Sequence, residues 1–271
     1  MTPSDAFEPW AHRRYGTVTS TMDVAAGLIA GGEVSSPTVV VAEHQTAGRG
    51  RANRGWRSVP GGSLQMTAIM SLPVPVMRLG PVPLLIGGIV AESLEALDAN
   101  LALELKWPND VLIDGRKVAG ILVVSRSAGD TSQLQIGIGV NVVDPDDPDD
   151  PGAMATGLGR LVGSNPERSA IDRVRDTLLA GILSRLLTLE AELARDGGAS
   201  GLDRWTRRAS LLGQSVRVQD GDRTSEGVLL GVDRTGALRI RDETGTISTV
   251  VAGDVTRGPR LWIADDTRDS T

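Results

Sequence analysis

The chain has 271 residues, 40% hydrophobic and 23% charged, with a net charge of −6, a balance that suits one large core plus a smaller second unit. It has no cysteine, which excludes disulfides and thiolate chemistry, and its acidic balance argues against a broad nucleic-acid footprint. The N-terminal segment has no signal-peptide core and the most apolar stretch, residues 82–91, is too short to span a membrane, so a cytoplasmic protein with no membrane partner is expected.

In chain order, Ser20-Thr21-Met22-Asp23 ahead of VAAGLIA predicts a capped helix with an acidic residue three positions after its cap, ended by Gly31-Gly32. Residues 37–43 (PTVVVAE) are an apolar, β-branched run and predict a buried strand. A loop rich in glycine and arginine follows over 46–62, then an alternating strand over 63–71 and a helix over 84–97. A short strand, 101–105, leads into KWPND (106–110), where Pro108-Asn109-Asp110 marks a turn. Asp114-Gly115 between 111–113 and 117–125 is a hairpin signal. Residues 133–143 predict another strand, whose Gly137 and Gly139 imply a close approach to its backbone. The acidic, proline-rich stretch 144–151 reads as a solvated loop, followed by helices over 171–195 and 202–209. From Leu212 onward come short strands with turn signals at Asp220-Gly221, Thr235-Gly236 and Thr244-Gly245, which predict a small β-barrel starting near residue 211.

Two features carry chemistry. Of 28 basic residues only Lys106 and Lys117 are lysines, and they lie eleven positions apart. A coding bias accounts for their rarity better than for their placement. An ammonium is a compact point charge and a guanidinium a planar fork, so the two are not interchangeable at a tight site. A protein that makes an amine-reactive acyl intermediate would also gain from having few lysines. The second feature is AGRGRANRGW (47–56), in which Arg49, Arg51 and Arg54 alternate with Gly48, Gly50 and Gly55, with Arg57 just beyond. Glycines let backbone N–H groups curl around an anion while guanidiniums add bidentate contacts; a basic loop without a ligand is the alternative. Trp56 fits either a core position or a lid over an apolar ligand. Asn109 and Asp110 fit either a strand-ending turn or ligand contact. Together these residues point to an anion site, with phosphate the expected ligand, beside an apolar pocket, with no nucleophile triad and no metal cluster. The isolated His12 and His44 read as structural.

The order STM (20–22), EHQTAGRGRANRGW (43–56), KWPND (106–110), RKVAGIL (116–122) and GIGVN (137–141) resembles the bacterial biotin–protein ligases over about residues 16–265. The resemblance implies an α+β fold: a mixed-sheet catalytic domain related to class II aminoacyl-tRNA synthetases over 1–210, an SH3-like β-barrel over 211–265 and a tail over 266–271. It implies ATP and Mg²⁺, and two half-reactions. Biotin's carboxylate attacks the α-phosphate of ATP to give biotinyl-5′-AMP and pyrophosphate, and a lysine of a biotin carboxyl carrier domain then takes the biotinyl group. Lys117 matches the lysine that contacts biotin's carboxylate and the α-phosphate, and with Arg51 is the expected catalytic pair. Ser20, Thr21, Met22, Gln45, Arg49, Gly50, Arg51, Trp56 and Lys117 match the biotin side. Arg49, Arg51, Arg54, Lys106, Asn109, Asp110, Gly137, Gly139, Asn141 and Thr156 match the nucleotide side, with the loop 144–158 corresponding to the one that folds over adenine. Metal ligands are not identified. A carboxylase carrier domain is the implied protein partner, and a homodimer on ligand binding is a further expectation.

Some positions depart from the pattern. Met22 stands where asparagine is usual, Asn53 where glycine is common, and Val123-Val124 lack an acidic residue often found there. Asparagine tolerates a left-handed backbone, so Asn53 is expected to take one. Nineteen residues precede Ser20, too few for the DNA-binding domain of repressor members, so no operator binding is expected. The alternatives are a lipoate or octanoate–protein ligase and a ligand-binding module without catalysis.

Overall fold

A computed structural model of the chain describes residues 8–34, 37–145, 155–163 and 165–259. Residues 146–151 of the expected acidic loop lie outside them. The elements are β1 (Ala11–Val18), α1 (Thr21–Ala30), β2 (Thr38–Gln45), β3 (Gly48–Arg49), β4 (Gly55–Trp56), β5 (Ser63–Leu72), α2 (Val82–Glu95), β6 (Leu103–Lys106), β7 (Asp110–Ile113), β8 (Arg116–Ala128), β9 (Thr131–Asn141), α3 (Gly159–Val162), α4 (Arg168–Leu186), α5 (Leu189–Asp196), α6 (Ala199–Arg207), β10 (Ser215–Asp220), β11 (Arg223–Val232), β12 (Leu238–Arg241), β13 (Ile247–Val250) and β14 (Asp254–Arg257).

Seven strands form one mixed sheet in the order β1-β2-β5-β9-β8-β7-β6, with β1 and β2 parallel and every other pair antiparallel. Side chains alternate across a strand, and the alternation sorts β2 cleanly. Val39 and Val41 join the main core, while Val40 packs with Ala25, Leu28 and Ile69 under α1. Helix α1 therefore covers one face alone. The other face is covered by α2, whose Val82, Leu85, Ile86, Ile89, Val90 and Leu94 are buried, together with α4, while α6 packs on the outside of α2. Each large aliphatic side chain so buried contributes roughly 1.5–3 kcal/mol of transfer free energy.

Ser20 caps α1 by accepting from the N–H of Met22 at 3.2 Å, and Gly31 and Gly32 (φ 68°) end the helix. Asp114 and Gly115 both have positive φ (51° and 74°), the primed turn that suits a two-residue hairpin. The turns at Gly221, Gly236 and Gly245 also have positive φ and join β10–β11, β11–β12 and β12–β13 in a second, antiparallel sheet of order β13-β12-β11-β10-β14.

Two expectations are corrected and one element is added. Strand β1 was not foreseen, because AHRRYGTV mixes charges with few apolar residues; it lies at the sheet's edge, where much of it is exposed. The single helix expected over 171–195 is two helices. The Thr188 hydroxyl donates to the carbonyl of Arg185 at 2.8 Å, and this local bond competes with helix continuation. The left-handed residue in the arginine loop is Ala52 (φ 51°, ψ 41°), not Asn53.

Candidate active site

The site lies on the α1 face of the sheet and is floored by a row that crosses four strands. Register pairs Asp110 with Gly120, Gly120 with Gly139, and Gly139 with Gln65. Residues directly opposite one another share a face, so two glycines in adjacent strands leave a shallow trough between Asp110 and Gln65. Trp56 fills it. A Cβ on Gly139 would lie 2.6 Å from Cζ2 of the indole, and one on Gly120 would lie 3.0 Å from Cζ3. One pairing along, a Cβ on Gly137 would come within 2.9 Å of the Met22 sulfur. The close approach expected at Gly137 and Gly139 is made by the protein's own side chains.

Lys117 reaches this face through a β-bulge. Positions 117 and 120 of a regular strand would point to opposite faces. Here Val111 pairs with Ala119 and Leu112 with Lys117, so Val118 is an extra residue, and it turns its side chain wholly into the core. Lys117 then folds back over Gly120, whose Cβ would be 3.2 Å from its Nζ. The ammonium sits 2.6 Å from Asp110 Oδ1 and 5.5 Å from the centre of the Trp56 ring. That carboxylate oxygen is buried and accepts no hydrogen bond among the described residues, so the ion pair with Lys117 is its recorded polar contact.

The arginine loop is a tight hairpin, β3 to β4, closed by Gly50 N–H donating to the carbonyl of Arg54 at 2.7 Å. Gly48 is required at its base, since a Cβ there would meet the carbonyl oxygen of Trp56 at 2.5 Å. Each guanidinium has a counterpart. Arg49 pairs with Asp23 (2.5 Å) and Arg54 with Asp254 of β14 (2.8 Å), while Arg51 Nη1 lies 3.5 Å from both Asn109 Oδ1 and the carbonyl of Gly253. Burial pushes the Arg51 guanidinium below its ordinary pKa, with nearby Asp254 opposing; an arginine stays charged through such a shift. Asn109 donates to the carbonyl of Ile121 at 2.8 Å and so braces KWPND against β8. Trp107 donates to the carbonyl of Gly236 at 3.0 Å, tying the same motif to the second sheet.

At the other end, Thr67 donates to Thr21 Oγ1 (2.8 Å), and the Thr21 hydroxyl and N–H both donate to Gln45 Oε1 (3.0 and 2.7 Å). These groups enclose a cavity of about 450 Å³ lined by Ser20, Thr21, Met22, Gln45, Arg49, Gly50, Arg51, Arg54, Trp56, Lys106, Asn109, Asp110, Lys117, Gly137 and Gly139. A wider cleft of about 1210 Å³ continues past the arginine loop to Thr235, Gly236 and Val251 of the second sheet.

Two of the residues singled out from the sequence stand back from the cavity. Buried Asn141 donates to the carbonyl of Thr156 (3.3 Å), and Thr156 N–H donates to the carbonyl of Lys117 (2.8 Å). His12 and His44 line neither cavity.

Sequence reasoning missed three groups. Asp144 accepts from Gly157 N–H (2.7 Å) and the Thr156 hydroxyl (3.1 Å) and clasps the base of the loop to β9. Asp254 anchors Arg54, and nothing in its own segment marks it. Glu43 is held by the buried Arg175 (2.8 and 3.0 Å) and by Arg168, and Arg175 also reaches the carbonyl of Gly61 (3.5 Å), so α4 fastens both ends of the segment that carries the arginine loop. The hydrogen bonds from Arg175 hold the Glu43 carboxyl at about 2.

Comparison with known proteins agrees with this geometry. The model of the Biotin/lipoate A/B protein ligase family matches residues 15–141, and that of the Biotin protein ligase C terminal domain matches 211–258. The biotin--[acetyl-CoA-carboxylase] ligase of Mycobacterium tuberculosis is 32% identical over 248 residues, covering 88% of this chain and 85% of that protein. The one from Paracoccus denitrificans is 32% identical over 237 residues, covering 86% and 93%. The structure of the Aquifex aeolicus biotin protein ligase in complex with biotin and ATP superposes with a TM-score of 0.73 at 27% identity, covering 92% of this chain and 99% of that one. With the motifs gathered on one face of a mixed sheet and relatives of this identity matched over most of their length, the chain belongs to the biotin protein ligase family.

Proposed function

We propose that this chain joins biotin to ATP, forming biotinyl-5′-AMP and pyrophosphate, and then passes the biotinyl group to a lysine of a biotin carboxyl carrier domain. The observation that carries this reading is the convergence of both lysines and three arginines of the 48–56 loop on one cavity, whose far end is the Thr21–Gln45 hydrogen-bonded pair. Cations fixed in advance around phosphate oxygens stabilise the charge that develops during transfer, a term worth about 2.7–4 kcal/mol per well-placed donor.

In this reading Lys117 contacts biotin's carboxylate and the α-phosphate, and Arg49 and Arg51 close over the adenylate. Gln45, Ser20 and Thr21 bind the ureido ring, Met22 packs beside it, and Gly50 offers its backbone. Trp56 covers the bound ligand. Arg54, Lys106, Asn109, Asp110, Gly137 and Gly139 serve the nucleotide side, with Asn141 and Thr156 supporting its loop. Each arginine must exchange its present carboxylate or carbonyl partner for the ligand, while Lys117 keeps Asp110 as its counter-charge.

Among the described residues no three carboxylates or histidines cluster to hold a metal. The cleft's carboxylates, Asp110 and Asp254, face ammonium or guanidinium groups. This donor set does not fit a resident Mg²⁺ cage; it fits an ion that arrives on ATP, since Mg²⁺ is usually held by one or two carboxylates plus substrate phosphates.

The reading includes a catalytic domain over 1–210 of the class II synthetase type and an SH3-like barrel over 211–265, which the five-stranded antiparallel sheet supports. It places the protein in the cytoplasm, with a homodimer on ligand binding. Among the described residues no helix is long and apolar enough to cross a membrane.

The test is pyrophosphate release from purified protein with biotin and ATP–Mg²⁺ and no carrier. Biotin-dependent release that collapses in Lys117→Ala is expected. Release with lipoate or octanoate instead of biotin would overturn the substrate, and no release with any of the three would overturn the chemistry.

A further inference from the structure

The two lysines of this chain line one cavity but are held differently. Lys117 lies flat on Gly120, with its Nζ 2.6 Å from Asp110 Oδ1 and one face toward the Trp56 ring at 5.5 Å. Among the described residues no carboxylate pairs with Lys106.

This arrangement poses a chemical problem, given the activity proposed above, on which the inference rests. The site would make a mixed anhydride, an activated acyl group, and keep it beside a primary amine. If Nζ of Lys117 offered its lone pair to the acyl carbon, a C–N bond would form. The C–O bond to phosphate would break, AMP would leave with the electron pair, and the amine's proton would pass to solvent. The product would be an enzyme acylated on its own lysine, with its cation gone. A well-oriented intramolecular reaction has an effective molarity of about 10⁵ M or more, so an amine held beside the acyl carbon threatens the intermediate unless something restrains it.

We propose that Asp110 masks Lys117. By holding the ammonium in a close ion pair, it keeps Nζ as a charge that stabilises the adenylate rather than a nucleophile that consumes it. The geometry fits this task. Asp110 Oδ1 is buried and accepts no hydrogen bond among the described residues, so its ion pair with Lys117 is the interaction that offsets its burial. The bulge at Val118 is what brings the two onto one face. The composition fits as well, since 26 of 28 basic residues are arginines, whose guanidinium is not acylated under these conditions. Lysines are thus nearly absent everywhere, and the one folded against the trough is capped by a carboxylate.

The experiment has two arms. In the first, the unliganded wild-type protein is acetylated with a limiting N-hydroxysuccinimide ester, and peptide mass spectrometry follows the two lysines. Lys117 is expected to label at least about tenfold more slowly than Lys106, and Asp110→Asn to remove most of the difference. In the second, synthetic biotinyl-5′-AMP is added. Wild-type Lys117 is expected to stay unmodified, Asp110→Asn to acquire a biotinyl group there, and Asp110→Asn with Lys117→Arg to acquire none. Asp110→Glu, which keeps the counter-charge, is expected to restore protection. Labelling of wild-type Lys117 as fast as Lys106 overturns the proposal even where Asp110→Asn does not fold. So does a folded Asp110→Asn whose Lys117 stays inert in both arms. The reagent arm needs no ligase activity, so loss of the masking and loss of the proposed function read out separately.

Discussion

The indole of Trp56 rests directly on the backbone of Gly139, with Cζ2 and Nε1 at 2.6 and 2.8 Å from where a Cβ would stand. Trp56 sits at the end of the arginine hairpin and Gly139 in the middle of β9, so this contact seats the hairpin on the sheet. Gly139→Ala is expected to unseat the indole without unfolding the sheet, because the atom displaced belongs to a side chain on a surface hairpin. The melting temperature should change by only a few degrees, tryptophan emission should shift to the red, and kcat/KM for biotin should fall by about 10–100-fold, or 1.4–2.7 kcal/mol. An unchanged emission spectrum would show that the indole is not held there in solution.

Lys117→Ala removes a reacting-site cation and also leaves the buried Oδ1 of Asp110 without a partner. Adenylate formation should drop by about 10²–10³-fold, and stability by about 1–3 kcal/mol. Adding Asp110→Ala is expected to recover most of the stability and none of the activity. Denaturant midpoints for the four members of the cycle check the first part, and pyrophosphate release the second.

The Arg54–Asp254 pair is exposed on both sides, at 58% and 53% of the side-chain surface, so it adds little to stability. Asp254→Asn should leave the denaturant midpoint nearly unchanged. Since Asp254 is where the hairpin meets the second sheet, the same variant should be cut by trypsin faster at Arg49, Arg51 and Arg54 in the absence of ligand. Equal cutting rates would mean that the pair does not restrain the hairpin.

The clamp between Glu43 and Arg175 has a defined pH signature. The carboxyl of Glu43 is depressed from 4.5 to about 2 in the folded chain. A depressed carboxylate contributes stability that is fully present above its unfolded pKa and lost as the pH falls towards its folded value. Wild-type protein should therefore lose this contribution between about pH 4.5 and 2, on the order of 1 kcal/mol once screening at a carboxylate 43% exposed is allowed for. Glu43→Ala leaves a guanidinium that is 5% exposed with Asp172 (3.2 Å) as its remaining counter-charge and should cost more than Arg175→Met, which leaves the more exposed Glu43 with Arg168. Acid and urea titrations of the three proteins rank them.

What could be read from the sequence was what the chain encodes locally. The motif KWPND, the arginine loop and the glycines of β9 each announce themselves within a few residues, and together they mark about half the lining of the smaller cavity. What could not be read depends on register. Nothing near Lys117 signals the bulge at Val118 that turns it toward Asp110, because the bulge appears only when β7 and β8 are paired. Glycines in β9 forecast a close approach but not its source, a tryptophan from a hairpin that pairs with nothing in the main sheet. Asp254 and Asp144 look like ordinary surface acids until the second sheet and the base of the 144–158 loop bring each to its partner. The break at Thr188 escaped because the apolar spacing runs on unbroken through Leu186, Leu189 and Leu193, all buried.

Thr156 hangs by its N–H from the carbonyl of the same residue whose ammonium faces the trough, and Asn141 and Asp144 hold the rest of that turn. Lys117 thus touches the hairpin through its side chain, against Trp56, and residues 155–157 through its main chain. A shift of either one biases the other, and such a coupling is reciprocal by thermodynamic necessity. The two small-molecule substrates should accordingly raise each other's affinity by the same factor, whichever is bound first.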